Sequence, residues 1–178
     1  MSSIPYLGES TDIVLGQEFL TWLWYRSDTA SVFKSPDGGP DFTMSMEQRI
    51  VVQGGEGDAK ETASVSGVMS ELREARLGLT TGKQVTRALV RFTRDPEAWQ
   101  VTIKAADLSL GSMKTPAIEK GDSPDDDPDA LFYEKIHLTE LCLGFIDVLY
   151  TAFLEKRLSS RAWEEETTKI REWAALEA

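Results

Sequence analysis

The chain has 178 residues, 41% of them hydrophobic, and its 30 acidic and 19 basic side chains give a formal net charge of −11. A chain of that length can bury about 70% of its unfolded surface in one domain, with no disulfide or metal needed for stability. Its one cysteine, Cys142, excludes an internal disulfide and fits a reducing interior such as the cytoplasm.

The first residues lack the basic start and apolar run of a signal peptide. Leu138 to Leu154 is the most apolar region, but Glu140 and Asp147 interrupt it and argue against a membrane span. The charge is unevenly spread. Residues 1–82 carry a net −6, residues 83–110 a net +2, and residues 111–178 a net −7.

Taken in order, residues 1–15 read as a loose lead-in. Phe19, Leu20, Leu23 and Trp24 then form a helical stripe over Gly16 to Arg26, with Trp22 and Tyr25 on its flanks. So many aromatics on one short helix point to a core element rather than a platform for stacking bases. Pro36-Asp37-Gly38-Gly39-Pro40 is a loop. Alternating Phe42, Met44 and Met46, then Ile50 and Val52, predict a strand. Gly54 to Asp58 is a turn, and Ala59 to Val65 is the returning strand with one wet face.

Val68, Leu72, Ala75 and Leu79 predict a helix that stops at Gly82. The period then becomes two. Thr86, Ala88, Val90 and Phe92 make one strand face, and Trp99, Val101, Ile103 and Ala105 make the next, joined by a turn through Asp95-Pro96. Residues 111–127 read as an acidic linker loop. Asp127 as N-cap and Pro128 as first helical residue open a long helix to about Leu158.

Ile136, Leu143, Ile146, Tyr150 and Phe153 form that helix's apolar side, broadened by Leu141, Phe145 and Leu149. The width implies burial against a sheet or a second copy. A last helix, about Ala162 to Leu176, has Glu164-Glu165-Glu166 near its start, where acids suit the helix dipole. The expectation is one α+β domain over residues 1–178. It would hold a mainly antiparallel sheet of about four strands in two pairs, an intervening helix, and two C-terminal helices over 128–177.

Catalytic and metal chemistry finds little footing. Gly78 to Gln84 mimics a phosphate loop, but the glycine spacing is one short and Gln84 stands where Ser or Thr would hold magnesium. The acids from Asp122 to Asp129 lack the central Gly and terminal Glu of a calcium loop. His137 is the only histidine, which leaves zinc without partners. Cys142 lies five residues on, roughly 140° around the helix, so the two do not pair as nucleophile and base. No cofactor is expected.

A basic strand face is the strongest functional feature. Lys83, Arg87 and Arg91 recur every fourth residue and would share one face roughly 13 Å apart. Lys104 joins from the neighbouring strand, and Arg94 sits at the turn. Such spacing suits phosphates, which need charge at intervals rather than a catalytic geometry. The competing reading is a solvated face paired with acids such as Glu71 or Glu74.

Gly82-Lys83-Gln84-Val85-Thr86-Arg87, Phe19 to Ser27, and Ile136-His137-Leu138-Thr139-Glu140-Leu141 resemble segments in the C-terminal part of the recombination-associated protein RdgC family. The resemblance spans about Gly16 to Phe153 and rests on short matches. It implies a cytoplasmic, nucleoid-associated protein without a catalytic centre, binding DNA with little sequence preference. It also implies a homodimer and a recombination protein as a further partner. The chain would be a short relative lacking the family's N-terminal portion. Family members carry basic residues before the central helix, where this chain has Ser64-Val65-Ser66-Gly67, so DNA contact would fall to the strands.

The expected DNA-binding set is Lys83, Arg87, Arg91, Arg94 and Lys104. The alternative is a non-enzymatic interaction or structural module that has lost the DNA surface.

Overall fold

The computed structural model describes residues 9–54, 61–66, 75–81, 83–118 and 128–176; the side chains of 9–13, 47–49, 53–54, 61–66 and 81 lie outside that description. The element order is α1 (Glu9–Thr29), β1 (Val32–Phe33), β2 (Phe42–Gly54), β3 (Glu61–Ser66), β4 (Gln84–Arg94), β5 (Glu97–Lys104), β6 (Leu110–Lys114), α2 (Pro128–Arg157) and α3 (Ser160–Ala175). Residues 75–78 are helical and tighten into a 3-10 turn at Leu79–Thr81 just before β4. The rest of the predicted helix from Val68, with Glu71 and Glu74, lies outside the described residues, as do Gly55 to Asp58 and the acidic stretch Asp122 to Asp127.

The chain is α+β, built on a six-stranded antiparallel sheet. β2, β4, β5 and β6 lie side by side, and the far edge of β2 is shared by β1 and β3. Two strands exceed the expected four or so. β1 is only two residues long, and β6 falls within the predicted linker loop that began at Gly111. α1 likewise starts at Glu9, inside the predicted lead-in. Short strands and a polar first helical turn carry too little periodic pattern to be read alone.

Register follows from alternation. Along β4 and β5, Ala88, Val90 and Phe92 face Ile103, Val101 and Trp99 across the ladder, and all six are buried. β2 adds Phe42, Met44, Ile50 and Val52 to the same side. The helices cover this face. α1 buries Phe19, Leu20, Trp22, Leu23 and Trp24, so its aromatics are core, as expected.

α2 lies on the sheet through Phe145, whose ring sits 4.4 Å from Phe42, 4.9 Å from Trp99 and 5.6 Å from Phe92 between centroids. Its buried stripe is Leu138, Leu141, Cys142, Phe145, Leu149 and Phe153. That corrects the predicted apolar side, because Ile136 and Leu143 point to solvent instead. The wide pattern concealed which edge met the sheet. By length and composition alone α2 could cross a membrane; in this fold its buried stripe lies on the sheet.

α3 closes the layer. Ser159 caps it by accepting from the Ala162 N–H, and Trp173 meets Trp24 edge-on at 5.5 Å. Glu166 lies beyond the first turn and is buried, accepting the Trp22 indole N–H at 3.2 Å. It therefore ties α3 to α1 instead of serving the helix dipole. The Trp173 indole N–H reaches Asp28 at 3.1 Å, and the Trp99 indole N–H reaches the Leu138 carbonyl at 3.0 Å. These three indoles thus have partners, as a dry core requires.

Candidate nucleic-acid interface

With α1 and α2 on one face of the sheet, the described side chains of the other face are exposed or half-buried. The strands place Thr43, Ser45 and Val51 of β2 there, with Arg87, Leu89, Arg91 and Thr93 of β4. β5 adds Ala98, Gln100, Thr102 and Lys104, and β6 adds Lys114. Partners across an antiparallel ladder share a face, so register fixes the neighbours.

Arg87 lies opposite Lys104. Arg91 lies opposite Gln100, and Gln100 lies opposite Lys114 on its other side. These rows form a cationic patch roughly 13 Å along β4 and two strand spacings, about 10 Å, across. Hydroxyls and an amide fill the gaps. Among the described side chains the patch contains no carboxylate and no aromatic ring.

Three of the five predicted cations, Arg87, Arg91 and Lys104, meet on this face. Two do not. Arg94 follows Phe92 on the helix side, where its guanidinium stands 5.9 Å from both the Trp99 and Phe145 rings. It pairs with Asp37 at 2.9 Å and Glu97 at 3.5 Å, with only 11% of its side chain exposed. This arginine fastens the β1–β2 loop to the core. Its hydrogen bond, with help from the Gly39 N–H, holds the Asp37 carboxyl below the ordinary range.

Lys83 is the second correction. Val51 pairs with Arg87 and Val52 with Val85, leaving Thr86 as an extra residue in β4. That bulge reverses the alternation, so the period-two count from Arg87 back to Lys83 fails. Lys83 instead lines a cleft of about 310 Å³ on the helix side, with Thr80, Gln84, Trp163 and Arg171. Its backbone N–H bonds to the Gly78 carbonyl at 3.1 Å, closing the turn that enters β4.

Lys114 is the cation the sequence reading missed. Its strand holds Gly111 and has only five residues, so alternation gave no signal; once β5 is fixed, register alone puts Lys114 beside Gln100.

Cys142 and His137 stay apart. Cys142 is fully buried on α2, while His137 is exposed. Burial pushes the Cys142 thiol up to about 11, which keeps it protonated at neutral pH. A disulfide reagent such as Ellman's should therefore leave the native protein unlabelled, and labelling in denaturant titrations should track unfolding. Rapid stoichiometric labelling without denaturant would contradict this placement.

Comparison of the chain with protein-family models, curated proteins and solved structures returns no match.

Proposed function

We propose that this chain is a non-catalytic DNA-binding protein that holds the phosphate backbone on the open face of its sheet. One observation carries the reading: Arg87, Arg91, Lys104 and Lys114 converge on a face that the described helices leave uncovered. Along the duplex axis phosphates of one strand rise about 3.4 Å each, so roughly 13 Å between Arg87 and Arg91 matches about four steps of rise. Thr43, Ser45, Thr93, Gln100 and Thr102 add hydrogen-bonding groups between the charges, which position a backbone without reading bases.

All five tryptophans belong to the helix side of the sheet or to the helices themselves. The described part of the face offers nothing on which bases could stack, which favours duplex backbone over single-strand recognition. Net acidity of −11 does not oppose this, because binding responds to the local field. The resemblance to the RdgC family points to the same activity and to a nucleoid setting in the cytoplasm.

The test is fluorescence anisotropy of a labelled duplex at low salt. Arg87→Glu with Lys104→Glu puts two carboxylates at the centre of the patch, and binding is expected to fall by at least about a hundredfold. Lys83→Glu, off the face, should change affinity by less than about threefold. Equal loss from both would refute the assignment of the face. The interaction-module alternative draws on the uncovered apolar side of α2; under it, a protein partner survives the double charge reversal and duplex binding is absent from the start.

A further inference from the structure

α3 turns one side toward the 3-10 turn that enters β4. Trp163, Thr167, Ile170, Arg171 and Ala174 recur at intervals of four, three, one and three residues, so they share that side. With Leu79, Lys83 and Gln84 from the entry to β4 and Glu18 from α1, they line the cleft of about 310 Å³. That volume lies at the lower end of the roughly 300–1,000 Å³ common for small-ligand sites.

The lining combines an apolar base with unused hydrogen-bond donors. Ile170 and Ala174 are buried and Leu79 is half-buried. The indole N–H of Trp163 and the side chains of Gln84 and Arg171 make no hydrogen bond among the described residues. Trp22, Trp99 and Trp173, by contrast, each donate within the chain. The Trp163 N–H is not sealed from solvent either, since Nε of Arg76 is the one orphaned buried polar atom among the described side chains.

Charge selects among ligands. Lys83 and Arg171 set two cations against one carboxylate, Glu18, which Arg157 already holds at 2.5 Å. Lys83 is itself engaged, so Arg171 is the cation that a ligand meets. In a chain of net charge −11 this is a local excess of positive charge. Donors beside a guanidinium call for an ionised acceptor.

We infer that this cleft binds a small organic oxyanion, a carboxylate or phosphate carried on an apolar body. Arg171 and the N–H groups of Trp163 and Gln84 receive the oxyanion; Leu79, Ile170 and Ala174 receive the apolar part. None of these residues belongs to the cationic sheet face, so the inference stands apart from the DNA reading.

Two fluorescent probes of nearly one shape test it on the full chain. Anilinonaphthalene sulfonate carries an oxyanion on its rings, and phenylnaphthylamine is the same body without it. The sulfonate should bind the native protein at one saturable site. Arg171→Glu should weaken the sulfonate about tenfold and phenylnaphthylamine less than about twofold, because only the sulfonate trades attraction for repulsion. Lys169→Glu makes the same change in net charge on α3, outside the cleft, and should shift neither by more than about twofold.

Arg171 and Lys169 are exposed, and an unchanged circular dichroism spectrum and melting temperature confirm the fold. Amide shifts in NMR spectra locate the sulfonate on the native chain without any substitution. Leu79, Thr80, Gln84, Thr167 and Ala174 should move, while Ile136 and Thr139 of α2 should not. Naphthoate, naphthyl phosphate or both should displace the sulfonate, and the stronger competitor identifies the head group. No saturable binding overturns the inference. So do equal losses of both probes in Arg171→Glu, an equal loss of the sulfonate in Lys169→Glu, shifts centred on α2, or displacement by neither competitor.

Discussion

Replacing Gly16 with alanine should destabilise the protein by about 3 kcal/mol or more, although the same change at an ordinary helix position stabilises by about 1 kcal/mol. The reversal of sign comes from close approach. A Cβ at Gly16 would stand 2.0 Å from the Ala105 carbonyl oxygen and 2.8 Å from its carbon. Neither atom belongs to a side chain that can rotate away. Ala105 is fixed because its N–H bonds to the Thr86 carbonyl at 2.8 Å, and it is buried against the core. α1 must therefore lift from the end of β5, and Phe19, Leu20 and Leu23 would lose contact with it.

Gly111→Ala is the control, because a Cβ there meets no atom within 4 Å. Thermal or urea unfolding of both variants separates the cases. A neutral or stabilising Gly16→Ala would show that α1 does not cross the sheet where described.

Phe145→Ala should cost about 3–5 kcal/mol, equivalent to a fall of roughly 6–20 °C in Tm for a chain of this size. Phe145 is the point where three strands and α2 meet, touching Phe42, Phe92 and Trp99. Truncation removes that contact and leaves a cavity that β2, β4 and β5, locked in one ladder, cannot close. It also strips an aromatic face from beneath the Arg94 guanidinium. Phe145→Leu should lose much less. Phe132→Ala, on the exposed side of the same helix, should change stability by under about 0.5 kcal/mol. Similar losses at Phe145 and Phe132 would contradict the placement of the buried stripe.

Sequence and structure agree where a periodic signal is long and one face is dry. Phe42 to Val52, Ala88 to Phe92 and Trp99 to Ala105 declare their strands because each alternates against a core. The start of α2 at Pro128 is legible from local chemistry. The candidate site is only half legible. Its cations announce themselves as a net-positive segment, but facing depends on register. One inserted residue, Thr86, moves Lys83 to the other side. Arg94 sits in step with Phe92 and is drawn inward by Asp37, nearly sixty residues away in sequence, a pairing that no local pattern encodes. Lys114 stays invisible because five residues around a glycine do not alternate long enough to read.

The open sheet face is the centre of this account, and its most direct test is the salt dependence of duplex binding. Log affinity plotted against log salt should be linear. For three to four phosphates neutralised by Arg87, Arg91, Lys104 and Lys114, its slope should lie between about −2.7 and −3.6. Replacing Lys114 with glutamine should make that slope shallower by about 0.9. No binding at low salt, or a slope that Lys114 and Arg87 substitutions leave unchanged, would contradict it.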